Sequence, residues 1–289
     1  MDFLLTQFMN GLVYGTLLFI LAAGLSLIFG LMGVINLAHG SFFMLGAFTA
    51  LSIVAITGSF WWAVLLAPVL PALAAGLVET VFLKRLYGRD RLDQVLLTFG
   101  FAFIFVDLVK WIWGGDIFSL TEPESLEGTV EIFGGIIPVY RLAILGLGAV
   151  VAAGLWLVIE WTPFGAKLRA GVEDRWTALG IGINVPAIFT ITFIAGGALA
   201  GLAGVAAAPI LGVYADMDTD ILIPAFVVIV IGGMGSLRGA LVGSLLIGEA
   251  DTFGKAYLPD LSTFLIYLVM IGVLLTRPHG LFARSGEVR

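Results

Sequence analysis

From residue 3 to residue 78 the chain contains no Asp, Glu, Lys or Arg. About a quarter of the residues in a soluble domain are charged, so an apolar stretch of this length fits only a chain whose solvent is lipid. The rest of the sequence agrees: of 289 residues 60% are hydrophobic and 12% charged, and the mean hydropathy is +1.11. In a bilayer core every backbone N–H and C=O must find a partner within the protein, which leaves helices or closed barrels. Barrel strands read as short alternating segments, whereas the runs here are long and continuously apolar. The fold expected is an all-α polytopic membrane protein, a single transmembrane domain over residues 1–289.

At about 20 residues per crossing, spans are expected at residues 5–29, 40–56, 62–82, 92–113, 140–159, 186–208, 221–234, 240–253 and 261–276. Residues 221–234 and 240–253 are short for straight crossings, and the turn "GGMGSLRG" joins them. This glycine-linked pair near 221–253 reads either as two short or tilted crossings or as a re-entrant hairpin, for about eight to nine membrane segments. Alternation then collects Lys84, Arg85, Arg89, Arg91, Lys167, Arg169, Arg175, Arg238, Arg277, Arg284 and Arg289 on one face, against Lys110, Arg141 and Lys255 near the other. The positive-inside bias makes the first face cytoplasmic, with the amino terminus outside and the carboxyl terminus inside. The first apolar run is preceded by Asp2 and no basic residue, unlike a removable signal peptide.

The opposite face is acidic. The connection at 114–139, expected to be periplasmic, carries Asp116, Glu122, Glu124, Glu127 and Glu131, and the next carries Asp216, Asp218 and Asp220. These carboxylates read as a solvated face or as a docking surface. The run "DMDTD" lacks the glycine and distal Glu of a hand-shaped calcium loop. With no cysteine and two distant histidines, His39 and His279, no metal site is expected. GxxxxGK[ST], HExxH and GxSxG are all missing, so the chain reads as a transport subunit without its own ATPase site rather than an enzyme. Asp107 and Lys110, three apart on one helix, are expected to pair or snorkel near its outer end. No other carboxylate suited to ion coupling is expected within the membrane.

The inner connection, residues 160–186, is too polar to cross lipid, yet Leu168, Val172, Trp176 and Leu179 recur every three or four residues. That period predicts one amphipathic helix between Gly165 and Gly180. It suits a helix lying on the membrane surface or one seated in a partner's groove.

The 38 glycines suggest close helix approach and local breaks. The sharpest such break is "FGLMGVINLAHGSFFMLGAF", residues 29–48, where Asn36 and His39 interrupt the charge-free stretch. One reading is a tight inner turn with His39 bonded to a helix carbonyl. The other is a break reaching into a pore wall, with Asn36, His39 and Gly40 as substrate-path candidates and Gly232 and Gly233 of the later turn beside them. Helix ends exposed at such breaks can hold a solute's charges without ionised side chains.

Five blocks, in one order, give the chain a resemblance to the permease subunits of bacterial ABC importers for branched-chain amino acids. They are "GLSLIFGLMGVINLAHGSFFMLGAF" (24–48), "GAKLRAGVEDRWTALGIGINV" (165–185), "FIAGGALAGLAGVAAAP" (193–209), "AFVVIVIGGMGSLRGALVGSLLIGEAD" (225–251) and "LLTRPHGLF" (274–282). His279 in the last block departs from the family's usual residue, and "DMDTD" is more acidic than the family pattern. The resemblance implies an inner-membrane permease working with a homologous second permease, two cytoplasmic ATPase subunits, which would hold the ATP and magnesium, and a periplasmic substrate-binding protein. It also implies that the inner loop docks on an ATPase. Gly165, Lys167, Leu168, Arg169, Val172, Glu173, Asp174, Arg175, Trp176, Leu179 and Gly182 are the coupling candidates. The substrates implied are branched-chain or related amino acids, with urea or short-chain amides as alternatives. A stand-alone facilitator or ion-coupled carrier is the competing class.

Overall fold

The computed structural model describes residues 2–282 apart from residue 133. Arg284 and Arg289, assigned above to the inner face, lie outside the described residues. The helices are α1 (Asp2–Met32), α2 (His39–Thr57), α3 (Phe60–Leu66), α4 (Val69–Leu77), α5 (Arg91–Trp113), α6 (Val139–Trp161), α7 (Pro163–Glu173), α8 (Arg175–Gly180), α9 (Val185–Leu211), α10 (Met217–Gly232), α11 (Leu237–Tyr257) and α12 (Ser262–Thr276). Two strands, β1 (Thr129–Ile132) and β2 (Gly135–Pro138), lie between α5 and α6.

Seven helical stretches among the described residues are long and apolar enough to cross a membrane: Phe3–Gly30, His39–Thr57, Phe60–Leu86, Arg91–Trp113, Val139–Trp161, Val185–Leu211 and Pro259–Thr276. The chain is thus an all-α polytopic membrane protein. The glycine-linked pair stands apart from these seven, since α10 has only 16 residues and α11 carries Arg238, Glu249, Asp251 and Lys255. The third stretch is not one smooth helix. Pro68 has no N–H to continue the ladder, so α3 gives way to α4 there, and a π turn at Val78–Phe82 and a 3-10 turn at Leu83–Leu86 complete the passage.

Burial ranks the helices. In α1 83% of the most apolar window is buried and in α9 61%, against 17% in α5 and 11% in α6. The most buried helices, α1 and α9, therefore form the axis, while α5, α6 and α12 turn Trp111, Val150 and Leu275 outward. With lipid as apolar as leucine, helices gain most from close backbone approach through small residues. A Cβ on Gly24 would lie 2.8 Å from the Gly196 oxygen, and one on Gly15 2.8 Å from the Ser244 oxygen. These contacts lock α1 to α9 and to α11.

The acidic connection at 114–139 has its own structure, which hydropathy did not reveal. Residues β1 and β2 pair antiparallel from Thr129 opposite Pro138 to Ile132 opposite Gly135. Gly135 packs against Leu5 of α1, which fixes the hairpin to that end of the bundle. Beyond α12, Leu281 N–H donates to the Ile231 carbonyl at 2.8 Å and Phe282 N–H to the Gly232 carbonyl at 3.0 Å. The block "LLTRPHGLF" therefore closes the open end of α10, supplying partners for helix-terminal carbonyls.

Candidate functional site

The His39 segment combines a returning stretch with a turn at residues 37–38, where His39 N–H donates to the Asn36 carbonyl at 3.3 Å. His39 Nε2 lies 3.1 Å from the carbonyl of Leu21, and Leu21 precedes the end of α1 by about 16 Å of helix axis at 1.5 Å per residue. Residues 33–36 therefore run back along α1 and residues 37–38 turn the chain into α2. Thr98 of α5 holds this returning segment by accepting from Leu37 N–H at 3.1 Å and donating to the Ile35 carbonyl at 3.3 Å. Asn36 Oδ1 accepts from Ala38 N–H at 3.1 Å and turns the chain into α2.

Asn36 and His39 are both 0% exposed. The bond to Leu21 makes Nε2 the protonated nitrogen of a neutral ring, leaving His39 Nδ1, like Asn36 Nδ2, without a protein partner. A Cβ on Gly40 would lie 2.2 Å from the Asp218 carbonyl, and Ser41 Oγ donates to Asp218 Oδ2 at 2.9 Å. The three path candidates thus meet at a buried junction of α1, α2 and α10. His39→Ala should remove packing and a buried hydrogen bond, costing about 2 kcal/mol or more of stability. The expected readout is a lower melting temperature in detergent, with uptake per assembled complex within twofold of wild type. Normal melting with lost uptake would instead place His39 on the path.

Gly232 and Gly233 lie at another close contact. A Cβ on Gly232 would approach the Gly239 oxygen to 2.3 Å, and Gly233 has φ +96°, a left-handed conformation open to glycine. The carbonyls ending α10 are engaged by Leu281 and Phe282. The turn also meets α1, where a Cβ on Gly30 would fall 1.9 Å from Gly235 Cα.

The inner connection differs from the single helix expected. Asp174, with φ −148° and ψ 97°, divides α7 from α8, and its Oδ1 accepts from the N–H groups of Trp176 and Thr177, both at 3.0 Å. A capping Asp satisfies donors that a continuous helix would use otherwise. The Thr177 hydroxyl and backbone bonds hold the Asp174 carboxyl below the usual carboxylate range. The break splits the apolar stripe: Leu168 is 2% exposed, whereas Trp176 is 82% and Leu179 37% exposed, and Val172 lies between. Gly165 abuts the Ile159 carbonyl, Arg169 donates to that carbonyl and pairs with Glu160 at 3.7 Å, and Arg175 lies 5.9 Å from the Phe189 ring centre. Gly165, Leu168 and Arg169 thus fasten the segment to the bundle. Lys167, Glu173, Asp174 and Trp176 face outward, and Gly182, at φ +86°, turns the chain towards α9. Ile181, 71% exposed beside Trp176 in sequence, is an outward apolar residue the spacing argument passed over.

The charged groups also regroup. Lys110 pairs with Asp216 at 3.0 Å rather than with Asp107, because Asp216 comes from the loop over the end of α5. In "DMDTD" Asp216 and Asp220 stay exposed and only Asp218 is buried. Asp218 turns inward to Ser41 and is 4% exposed, and Asp220 accepts from Tyr214 Oη at 2.8 Å. The interior holds more carboxylates than expected. Glu79, 0% exposed, accepts from Tyr87 Oη at 2.6 Å and Thr190 Oγ1 at 2.7 Å. Both Glu249 oxygens are buried without a hydrogen-bond partner, and Asp251 is bonded to Lys255 at 2.6 Å. Among the described residues no three His, Asp or Glu side chains gather into a metal-holding group.

A cavity of about 480 Å³ lies between α1, α6, α7 and the glycine turn, lined by Glu160, Arg169 and Arg238. Two more, of about 380 and 450 Å³, lie at the hairpin end of the bundle beside Arg141, Asp251 and Lys255. None of the three is lined by Asn36, His39, Gly40, Gly232 or Gly233. Their signal in the sequence was the basic minority on the acidic face, Arg141 and Lys255, together with Asp251 inside an apolar run.

Comparison with known proteins now bears on this bundle. The family described as branched-chain amino acid transport system / permease component matches residues 7–274. The high-affinity branched-chain amino acid transport system permease protein BraD of Pseudomonas aeruginosa is 31% identical, over 97% of this chain and 96% of its own length. Its counterpart LivH of Salmonella typhimurium is 28% identical over 98% of this chain and 96% of its own. LivM of Escherichia coli is 27% identical over 91% of this chain and 67% of its own length. No solved structure matches the chain. A match that runs from α1 almost to the end of α12 leaves little of the fold outside it, and the chain belongs to the family of branched-chain amino acid transport system permease components.

Proposed function

We propose that the chain is the pore-forming subunit of an ATP-driven importer moving branched-chain or related amino acids across the bacterial inner membrane. It works with a homologous second permease, two cytoplasmic ATPase subunits and a periplasmic substrate-binding protein. The observation that carries this reading is the family match over residues 7–274. Similarity to both LivH and LivM supports pairing of two related permeases.

In this reading the amino terminus is outside, the carboxyl terminus is cytoplasmic, and α10 and α11 are the seventh and eighth of nine membrane segments. At 1.5 Å per residue the 21 residues of α11 reach about 31 Å, a full hydrocarbon core. The 16 residues of α10 reach only about 24 Å, so irregular backbone shielded by neighbours completes that passage. On the inner face, Trp176 and Leu179 seat in an ATPase groove while Lys167, Glu173 and Arg175 set its orientation. ATP binding by the partners shifts a two-state bundle between openings to either side. No covalent step falls to this chain.

Reconstitution in sealed vesicles tests the assignment. Leucine should accumulate only with ATP, both permeases, the ATPases and the binding protein present. Transport by this chain alone at the rate of the full assembly would overturn it, and ATP-driven uptake of urea in place of leucine would move the substrate. The interior carboxylates Glu79, Glu249 and Asp251 favour one competing reading, an ion-coupled carrier. Leucine uptake driven by a proton gradient without ATP would establish that one.

A further inference from the structure

Two cavities adjoin between α1, α9, α11 and their neighbours at the hairpin end of the bundle. At about 380 and 450 Å³, each falls in the range of about 300–1,000 Å³ common to small-molecule sites. Tyr14, Leu211, Asp251 and Lys255 line both. They are two chambers meeting at a charged partition.

The partition carries both signs. Arg141 gives one N–H to Asn10 Oδ1, and a guanidinium has five to offer. Lys255 Nζ donates to Asp251 Oδ2 at 2.6 Å and lies 5.4 Å from the Tyr14 ring centre. Asp251 is 6% exposed, with its second oxygen outside that ion pair. The remaining walls are mixed: Leu17 and Leu211 stand beside Gln7 and Thr252 in one chamber, and Leu211 and Ile266 beside Asp220 and Thr263 in the other.

A cavity for urea or an amide needs no ionised wall, and a cavity for a simple ion needs one sign. Arg141 and Lys255, the latter's side chain 63% exposed, stand with two carboxylates, buried Asp251 and exposed Asp220, beside aliphatic residues. Walls that carry both signs suit a zwitterion with an apolar side chain, since a buried charge such as Asp251 requires an opposite one. We infer that these joined chambers hold the free amino acid during its passage through this chain. Arg141 and Lys255 take the α-carboxylate, Asp251 takes the α-ammonium, and Leu17, Leu211 and Ile266 receive the side chain. Asp251 and Lys255 are four residues apart on α11, and the Lys255 side chain is 63% exposed against 9% for Asp251, so water can take over the ammonium while Asp251 needs a replacement partner. A zwitterion can open this ion pair and supply that partner. The assignment rests on the amino-acid importer reading above.

The test uses the complete transporter, purified without its binding protein and irradiated with a diazirine analogue of leucine. Label should appear on peptides covering residues 7–17 and 251–267. Leucine should displace it, and leucinamide, which lacks the carboxylate, should not. Labelling should fall at least tenfold in Arg141→Gln and in Asp251→Asn, and return in Arg141→Lys. Label found only elsewhere, or label here that leucine does not displace, overturns the site whatever the variants do. The same preparation, given binding protein and ATP in vesicles, separates the two claims. Leucine import with unlabelled chambers sinks the site alone, whereas absence of import sinks the importer reading.

Discussion

Gly46→Val is expected to abolish the folded bundle. A Cβ at Gly46 would lie 2.2 Å from the Gly201 oxygen and 2.5 Å from Gly201 Cα, and one at Gly204 would lie 2.0 Å from the Phe43 oxygen. Carbon contacts settle at roughly 3.5–4.0 Å, so α2 and α9 would have to separate by roughly 1–2 Å. Extra methylenes in a core usually cost about 1–3 kcal/mol when side chains can yield. Here both surfaces are backbone. Separation would also loosen Phe42, Phe43 and Phe48, all essentially buried in the same region. Size-exclusion in detergent should therefore show aggregate and no monodisperse chain. Gly100→Ala is the matched control, since nothing lies within 4 Å of its added Cβ. It should fold normally, with a gain of up to about 1 kcal/mol from the helix position. A monodisperse Gly46→Val chain with wild-type melting would show that α2 and α9 do not touch there.

The difference between these two glycines lies beyond reach of the sequence, where both sit in similar apolar runs. Hydropathy locates α5 and α6 to within two residues at each end, because their lipid-facing sides leave long uninterrupted apolar stretches. It says nothing of which helix is central, since α1 and α6 are equally apolar while 83% and 11% of their best windows are buried. Periodicity carried the apolar stripe through Asp174 because Leu168, Val172, Trp176 and Leu179 keep helical spacing across the break. A capping carboxylate and a solvated one are the same letter. The return of residues 33–36 along α1 is likewise a three-dimensional fact, set by Thr98 at a distance of more than sixty positions in the chain. The interior acids were hidden for the opposite reason. Glu79, Glu249 and Asp251 fall at or inside the edges of expected spans, where hydropathy averages dilute a single charge, and only Tyr87, Thr190 and Lys255 reveal how two of the three are stabilised.

Trp176→Glu should uncouple the chain from its ATPase without harming its fold. Trp176 is 82% exposed, and Ile181, close by in sequence, is 71% exposed, on a segment too polar for the bilayer core. Large apolar side chains held outward on short capped helices suit a partner's groove, and a central tryptophan in such an interface commonly contributes 2 kcal/mol or more. Replacing it with a carboxylate also places a charge where desolvation is unfavourable. ATPase affinity should fall at least about 30-fold, and ATP-driven uptake should fall with it. The melting temperature of the isolated chain should stay within a few degrees of wild type. Leu168→Ala makes the opposite prediction, because Leu168 is 2% exposed and anchors α7 to the bundle. It should lower the melting temperature, with a cost of about 2–5 kcal/mol. Equal ATPase affinity for wild type and Trp176→Glu in a titrated pull-down would remove Trp176 from the contact. The outward face of α8 would then be left to the membrane surface, which the same amphipathic spacing also suits.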